Sequence, residues 1–552
     1  MWRISLLILL LSACSHDSGQ RGEDTDLAKR PNILLIVADD LGYSDIGAFG
    51  SEIATPNLDN LAAQGLVLTN FYTGPTCSVS RAMLLSGADN HIAGLGNMAE
   101  TVSDNQLGKP GYEGHLNDRV ATIAETLKAL GYRTYMAGKW HLGMAPEQSP
   151  FQRGFDQTFA LLYGGASHFA DMAGPDTHRN PAIYRENGRL VSELPAEFFS
   201  TSFYTDRIIE QIDSEADSTA PFFAYLSYTA PHWPLQAPDD YIDKYAGRYA
   251  VGYDTVREQR FAKQQTLKLL PADLGVSERP ADIPAWAELT VEKRASHARN
   301  MEIYAAMVDH MDMSIGRVLD YLRARGSLDN TLIVFMSDNG ADQWSLRNAP
   351  PAVGEFAATF DNSPSNLGRE GSFVFYGPEW AHVSNTPFTR YKGTTYQGGI
   401  RSPAIVYWPE RIQTGQMNDA LAFITDWYPT FVEVAGGDAA TTGGKSLAAV
   451  LDGSAQAVRE PADYIGIEVW GKRSIVGQRY KMVSSPVRPH GQADWELYDL
   501  SVDPSETTDL ATTEPDRLQD MQDAWNTYAA TSNVILPEGP FKIRPVGDKP
   551  TE

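Results

Sequence analysis

The chain has 552 residues, of which 42% are hydrophobic and 21% are charged, as is typical of a folded globular protein. This composition excludes a disordered, collagenous or coiled-coil chain, and the length provides for a sizeable hydrophobic core. The formal net charge is −25 and no stretch concentrates lysine and arginine, so nucleic acid is not expected as a partner. A small anionic substrate is compatible with this charge, because a pocket can be locally positive within an acidic protein.

The N-terminus predicts an export signal. In MWRISLLILLLSAC an arginine precedes an apolar run that is too short to span a bilayer. The last four residues resemble a bacterial lipobox, which implies a signal peptide over residues 1–13 and a lipid anchor on Cys14. An ordinary signal peptide with an accidental cysteine is the alternative. Residues 14–30 predict a polar tether, and we expect a periplasmic or cell-surface lipoprotein, with Ser15 favouring the outer membrane by analogy with other lipoproteins.

From residue 31 to about residue 455, strand-like and helix-like segments alternate. PNILLIV and TLIVFMS are continuous apolar runs, the pattern of strands buried on both faces of a parallel sheet. Between them lie helix-like segments such as LDNLAAQG and FYTDRIIEQID, and a long helix is predicted from about Met301 to Arg325. The alternation predicts an α/β fold with a doubly wound sheet, and a catalytic domain over residues 31–455.

Two regions depart from the alternation. Residues 235–300 are irregular and rich in tyrosine, and we expect an insertion over one edge whose rings could stack on an aryl group or a sugar. Beyond residue 455, the runs YIGIEVW, SIVGQRYKMV and WELYDL precede a last helix near residues 514–530. They predict a small antiparallel α+β subdomain over residues 456–552.

Acidic residues follow two of the predicted strands. Asp39 and Asp40 end the first, and Asp338 and Asn339 end the strand TLIVFMS. The carboxyl ends of strands in open α/β sheets face the ligand crevice, so the two pairs can converge there. Three carboxylates and an amide oxygen suit Ca²⁺ or Mg²⁺ rather than Zn²⁺. A single such pair would more often cap a helix, but two together favour a metal site.

The segment GPTCSVSRAMLLSG, residues 74–87, carries the cysteine Cys77. We expect a helix that begins near Ser80 or Arg81, so that Cys77 precedes its positive end, where an anion or a developing negative charge is favoured. Arg81 lies one turn after Cys77 and can return toward it. A buried structural cysteine beside a surface arginine is the alternative.

These residues belong to a series of motifs in a fixed order: PNILLIVADDLGYSD, TCSVSRAMLLSG, GYRTYMAGKWHLG, TAPHWP, FMSDNG, YKGTTYQGGIRSPAIV and ELYDLSVDPSETTDLA. The series resembles the type I sulfatases of the alkaline phosphatase superfamily, and bacterial arylsulfatases in particular. The resemblance implies a large mixed, mostly parallel sheet flanked by helices, with the small C-terminal subdomain attached. It also implies hydrolysis of a sulfate ester, of a small molecule or a glycan, to an alcohol or phenol and sulfate.

The resemblance further implies one calcium ion and a modified nucleophile. The implied calcium ligands are Asp39, Asp40, Asp338 and Asn339. Cys77 would be converted to formylglycine by a formylglycine-generating enzyme before the chain folds, and Arg81 would steady the hydrated aldehyde. The family motif has proline, or less often alanine, where this chain has Val79. Valine also prefers an extended backbone but lacks the proline ring, so we expect a standard modifying enzyme to convert Cys77 only in part.

Four further residues match substrate-binding positions of the family. Lys139 would bind sulfate, and His141 would deprotonate the second hydroxyl of the hydrate so that sulfate leaves and the aldehyde is regenerated. His232 and Lys392 would contact the ester oxygen and the leaving group, and either could protonate it.

Two other functions stay open on the sequence. A phosphodiesterase or phosphonate monoester hydrolase of the same superfamily could use the same metal and cations. A catalytically silent lipoprotein that binds sulfated glycans is the second, favoured only by Val79. His168 and Asp171 could line the substrate pocket or have structural roles.

Overall fold

A computed structural model describes residues 30–174, 181–349, 351–438, 443–485 and 494–539. The predicted signal peptide, Cys14 and all but the last residue of the predicted tether lie outside these ranges. Within them, no helix combines the length and apolar character needed to cross a bilayer.

The strands of the described residues, numbered in chain order, form three sheets. They are Asn32–Ala38 (β1), Leu66–Leu68 (β2), Phe71–Tyr72 (β3), Arg133–Lys139 (β4), Gln157–Leu161 (β5), Tyr184–Glu186 (β6), Arg189–Val191 (β7), Phe222–Ser227 (β8), Thr331–Ser337 (β9), Ala404–Tyr407 (β10), Gln416–Asn418 (β11), Ala422–Phe423 (β12), Ile465–Val469 (β13), Lys472–Val476 (β14), Tyr480–Ser484 (β15) and Glu496–Asp499 (β16). The large sheet has the order β11-β2-β10-β9-β1-β8-β4-β5-β6-β7, and β12 pairs with β3 in a small separate sheet.

The centre of the large sheet is parallel. β9, β1, β8, β4 and β5 run in the same direction, whereas β10, β6 and β7 join antiparallel to their neighbours. Every residue of β1 after Asn32 is buried, which requires cover on both faces and explains its unbroken apolar sequence. The predicted mixed, mostly parallel α/β sheet is confirmed.

The helices of the described residues are numbered in the same way. They are Pro56–Gln64 (α1), Cys77–Ser86 (α2), Asn90–Ala93 (α3), Ile123–Ala129 (α4), Ser200–Asp213 (α5), Asp239–Lys244 (α6), Tyr253–Thr266 (α7), Val291–Ala324 (α8), Pro351–Ala357 (α9), Gly377–Ser384 (α10), Gln397–Ile400 (α11), Trp427–Val434 (α12), Ala448–Leu451 (α13) and Pro515–Thr531 (α14). The long helix predicted from Met301 therefore begins ten residues earlier, at Val291.

The prediction that residues 235–300 are irregular is wrong. They contain α6, α7 and the start of α8. The inward face of α7 carries polar residues, so its sequence lacks the apolar repeat that predicts a helix. Arg260, for example, is buried and binds Asp45 at 2.5 Å and Glu52 at 2.8 Å. Buried guanidinium groups thus occupy positions where a sequence pattern expects apolar side chains.

The predicted C-terminal antiparallel sheet is confirmed. β13, β14, β15 and β16 pair in that order, each antiparallel to the next, and α14 packs against β13 and β14. The domain boundary near residue 455 stays a prediction.

A buried histidine joins the C-terminal sheet to the rest of the fold. His91 Nδ1 lies 2.8 Å from Asp89 and Nε2 lies 2.8 Å from Glu468 of β13. Tyr528 of α14 donates to the other oxygen of Asp89 at 2.8 Å. Burial opposes the charged imidazolium, but Asp89 and Glu468 outweigh it and raise the pKa of His91 to about 9. A histidine that donates from both nitrogens is protonated, so this junction is an ion-paired one.

We expect this junction to weaken at alkaline pH. Because the pKa of His91 is higher in the folded state than in the unfolded one, its contribution is complete below pH 6.5 and is lost as pH rises through about 9. The contribution is on the order of 1–3 kcal/mol. The measurement is the melting temperature of the wild type and of His91→Gln between pH 6 and pH 10. The gap between the two should close as pH rises, and a gap that does not depend on pH would contradict the assignment.

Candidate active site

Neighbouring strand ends bring the predicted site residues together. Ala38 pairs with Ser337 in the parallel register of β1 and β9, so the acidic pairs that follow them lie side by side. β8 separates β1 from β4, Lys139 is the last residue of β4, and His232 lies in the loop after β8. The predicted crevice at the carboxyl ends of the parallel strands is thus where these side chains meet.

The four predicted metal ligands form a buried cluster. One ligand atom from each of Asp39, Asp40, Asp338 and Cys77 lies within 4.8 Å of the others. The Asp40 backbone N–H donates to Asp338 at 3.3 Å, and the Asn339 amide donates to Asp40 at 2.6 Å. Asp40 has a positive φ of 65°, which is uncommon for a residue other than glycine and typical of functional sites.

The cluster fits a hard divalent cation. Asp39 Oδ1 and Asn339 Oδ1 are buried and accept no hydrogen bond from any described residue. Burial raises the pKa of Asp39 to about 7 although Lys139 opposes the shift. A cation beside these oxygens would satisfy them and favour the ionised carboxylate. The arrangement is a possible metal site in which the carboxylate and amide oxygens beside the Cys77 sulfur are donors of the kind that Ca²⁺ and Mg²⁺ prefer.

Cys77 is the first residue of α2. The prediction of a helix start near Ser80 or Arg81 is wrong by one turn, because Thr76 is extended and its carbonyl already accepts from the Ser80 N–H at 3.0 Å. The Cys77 sulfur lies 3.7 Å from Asp40 Oδ1. Burial and the charge of Asp39 raise the pKa of the thiol well above its ordinary value. An unmodified Cys77 is therefore a neutral thiol and a weak nucleophile.

Arg81 joins the metal cluster to β4 and β8. Its Nε donates to Asp338 at 2.8 Å, and its Nη1 donates to the Lys139 carbonyl at 3.0 Å and to Ser227. Its Nη2 lies 3.7 Å from Asp39 and makes no hydrogen bond with a described residue. The fully buried guanidinium thus has one unused donor at the cluster.

Two lysines pair with the acidic residues. Lys139 Nζ donates to Asp39 at 2.6 Å, and Lys392 Nζ donates to Asp40 at 2.8 Å and to Asp342 at 3.4 Å. Burial works most strongly against the charge of both lysines, but the neighbouring negative groups together outweigh it and raise the pKa of each, with Asp39 the strongest of them for Lys139 and Asp40 for Lys392. Both amines are charged and able to bind an anion.

Two histidines lie opposite these lysines and are neutral. Burial lowers the pKa of His141, and burial together with Lys392 lowers that of His232 well below its ordinary value. His232 Nδ1 lies 2.6 Å from the Trp233 carbonyl, a contact in which Nδ1 carries the hydrogen. Its Nε2 lies 3.5 Å from Asp40. His141 Nδ1 makes no hydrogen bond with a described residue, and Nε2 lies 3.8 Å from Glu100.

Adjacent glycines make room for both imidazole rings. A Cβ on Gly164 would lie 2.6 Å from His141 Cε1, and one on Gly165 would lie 3.0 Å from His232 Cε1. His141 itself has a positive φ of 57°. The ring positions therefore depend on the absence of side chains at this turn.

We expect Gly164→Ala to displace the His141 ring. A displacement on the order of 1 Å should lower kcat/KM roughly 100-fold. Gly275→Ala is the matched control, since a Cβ there meets nothing within 4 Å. The two variants are compared by their turnover under identical conditions, and equal activity would show that the ring position does not matter.

Four of the predicted site residues line a cavity of about 220 Å³. Cys77, His141, His232 and Lys392 line its base. Half-buried aromatic side chains form its walls: Trp233 and Trp344 stack with ring centroids 5.7 Å apart, and Trp470 lines the wall as well. A larger groove of about 940 Å³, beside Tyr396 and Glu496, contains none of these residues.

Sequence reasoning missed several residues of this cavity. Asp342 accepts from the Trp233 indole at 2.8 Å and from Lys392, and its place three residues after Asn339 was a usable signal. Glu100, Trp470 and Lys472 also line the cavity. They lie in connecting segments and a hairpin whose sequences carry no motif, so nothing in the sequence predicted that they line the cavity.

Two groups suggested for substrate contact lie elsewhere. His168 is buried, with Nδ1 2.6 Å from Ser200 Oγ and Nε2 3.2 Å from the His232 carbonyl, so its role is to support the loop that carries His232. Asp171 is exposed and does not line the cavity. The tyrosines of residues 235–300 pack into the core, as Tyr249 does against Trp380, and do not line the cavity either.

Comparison with known proteins identifies the family. The Sulfatase family model matches residues 31–437, and the model for N-sulphoglucosamine sulphohydrolase, C-terminal, matches residues 390–526. An uncharacterized sulfatase of Schizosaccharomyces pombe is 44% identical over 546 residues, which cover 94% of this chain and 97% of that protein. An arylsulfatase of Klebsiella aerogenes is 41% identical over 440 residues, covering 79% and 93%. The solved structure of Ps i-CgsB in complex with a neocarrahexaose has a TM-score of 0.65 and 25% identity, covering 91% of this chain and 93% of that chain.

A parallel α/β sheet with an oxygen-donor cluster and paired cations at its strand ends defines a hydrolase of anionic esters. The chain belongs to the sulfatase family. It is a sulfuric ester hydrolase, which cleaves a sulfate ester to an alcohol or phenol and sulfate.

Proposed function

We propose that the chain hydrolyses sulfate monoesters of small, flat alcohols or phenols, with calcium and a formylglycine made from Cys77. The observation that carries the proposal is the stacked Trp233 and Trp344 wall above Cys77 and Lys392. The cavity of about 220 Å³ is below the roughly 300–1,000 Å³ usual for small-molecule sites, so it suits a leaving group of about one ring. The arylsulfatase relative supports the same class of substrate.

The charges of the site support a dication and a singly charged ester. Around Cys77 there are four carboxylates and three cationic side chains: Asp39, Asp40, Asp338, Asp342, Arg81, Lys139 and Lys392. One formal negative charge remains, which a dication and a sulfate monoester would together bring to zero. Calcium held by the three aspartates of the cluster and Asn339 would neutralise sulfate oxygens, and formylglycine hydrate would supply the oxygen nucleophile.

The chain's own residues then bind the anion and move protons. Lys139, whose Nζ contacts Asp39, and Arg81, whose Nη2 makes no hydrogen bond with a described residue, would supply positive charge to the bound sulfate. His141 is neutral and can accept a proton at its free Nδ1. Lys392, rather than His232, is the general acid, because the neutral His232 keeps its only hydrogen on Nδ1 and directs it to the Trp233 carbonyl. Lys392 Nζ would protonate the departing oxygen.

The test pairs phenyl sulfate with two phosphorus esters that also release phenol: the diester methyl phenyl phosphate and the phosphonate monoester phenyl methylphosphonate. We expect the purified protein to prefer the sulfate in kcat/KM by several orders of magnitude. Preference for either phosphorus ester would instead establish the phosphodiesterase or phosphonate hydrolase activity. Binding without cleavage of any ester would establish a silent binding protein.

We also propose that the protein is an exported lipoprotein anchored through Cys14. The lipobox-like end of the leader supports this, together with the polar segment that follows it. Several acyl chains give a stable anchor, so wild-type protein should sediment with membranes and Cys14→Ser should not. Recovery of the wild type in the soluble fraction alone would contradict the anchor.

A further inference from the structure

The turn between β13 and β14 forms part of the cavity wall. Trp470 and Gly471 both have positive φ, 57° and 79°, as a tight two-residue hairpin turn requires. The Trp470 backbone N–H donates to Asn97 at 2.9 Å, and its indole N–H donates to Thr101 at 2.8 Å. The turn of the C-terminal sheet is thereby fixed to the catalytic part of the chain, with Trp470 and Lys472 facing the cavity.

Lys472 has no acidic partner at this position. Its half-buried ammonium donates to the Gly393 carbonyl and lies 5.7 Å from the centroid of the Trp470 ring. Within the described part of the chain, no carboxylate oxygen lies within 4 Å of it. Burial lowers the pKa of Lys472 to about 8, which agrees with a cation that has lost water without gaining a counter-charge.

The acidic residues that line the cavity lie beside side chains other than Lys472. Asp342 accepts from Lys392 and from the Trp233 indole. Glu100 faces His141, with its oxygen 3.8 Å from Nε2. Lys392 is neutralised by two aspartates, so Lys472 is the cavity-lining lysine, among described residues, that has no carboxylate partner.

We propose that Lys472 determines specificity by binding a second anionic group, a carboxylate or another sulfate, on the leaving group of the substrate. A partly buried charge without a partner is unfavourable, and an anion brought by the substrate offsets that cost. The inference rests on the proposed function, because it places the leaving group between Lys392 and the aromatic wall. The preferred substrate is then an aromatic sulfate ester with two negative charges.

The test compares 3-carboxyphenyl sulfate with 3-carbamoylphenyl sulfate, which has nearly the same shape but lacks the second charge. The bis(sulfate ester) of benzene-1,3-diol tests whether a second sulfate can serve as the second anion. We expect the wild type to prefer the charged esters, and Lys472→Met to lower the ratio of charged to neutral kcat/KM by about tenfold to a hundredfold. Lys472→Arg keeps the cation and should retain most of the preference. Raising the salt concentration should weaken the wild-type preference, a readout that needs no variant.

The outcomes separate this inference from the proposed function. Equal hydrolysis of the charged and neutral esters by the wild type would overturn the inference and leave the sulfatase activity in place. A loss in Lys472→Met that is the same for both esters would assign Lys472 a structural role and overturn the inference as well. Hydrolysis of none of the esters would overturn the proposed function and this inference with it.

Discussion

Asp338→Asn should reduce kcat/KM for phenyl sulfate by roughly 100- to 1,000-fold, the loss typical when charge stabilisation of a transition state is removed. The substitution keeps an acceptor for the Arg81 Nε but replaces one negative oxygen of the cluster with an amide. The Asp40 backbone N–H, which now donates to Asp338, would face an N–H₂ group. Both changes weaken a site for a dication, so bound calcium, measured by elemental analysis, should fall together with activity.

The matched control is Asp312→Asn. Asp312 is also a buried carboxylate, and it accepts from the Leu58 N–H at 2.8 Å, but it does not line the cavity. The control should lose stability without losing calcium or turnover. Full activity in Asp338→Asn, or in wild-type protein stripped by a calcium chelator, would contradict the metal assignment.

Lys392→Ala should lower turnover by about 100- to 10,000-fold for esters with poor leaving groups, the range expected for loss of a general acid. The effect should be much smaller for 4-nitrophenyl sulfate, whose phenolate needs little protonation to depart. The measurement is the dependence of kcat/KM on the pKa of the leaving phenol in wild type and variant. We expect kcat/KM to fall steeply with the pKa of the leaving phenol in the variant and only slightly in the wild type.

The control for loss of a lysine is Lys445→Met, which removes an exposed ion pair with Asp463. It should leave both slopes unchanged. If Lys392→Ala lowers kcat/KM by the same factor for every ester, whatever the pKa of its leaving phenol, then Lys392 binds the sulfate and does not protonate the leaving group. If His232→Gln reproduces the steep slope and Lys392→Ala does not, the acid is His232.

The base of the site could be predicted from sequence because its residues directly follow strands. Asp39 and Asp338 each come one residue after a buried parallel strand, and strand order in such a sheet brings those ends together. Cys77 and Arg81 sit in one short motif. Family resemblance then supplied roles for Lys139 and its partners, which periodicity alone would have left as solvated or structural residues.

The walls of the cavity could not be predicted, because they depend on long-range packing. Trp344 stacks on Trp233 from a loop far along the chain, and Trp470 reaches the cavity only through a turn of the C-terminal sheet. Neither position has a local pattern that distinguishes it from an ordinary surface aromatic. Helix α7 was not predicted either, because buried polar side chains such as Arg260 fill its inward face and no apolar repeat marks it in the sequence.

The central claim is that residue 77 carries the nucleophile as a formylglycine. Val79 follows it at the third position of α2, where the family motif has proline, so the extent of conversion decides how much of the protein is active. Intact-peptide mass spectrometry over residues 74–81, paired with turnover per total enzyme, measures both. We expect aldehyde or its hydrate at residue 77, with turnover proportional to the converted fraction. Rapid hydrolysis of phenyl sulfate by protein in which residue 77 is entirely thiol would contradict the account.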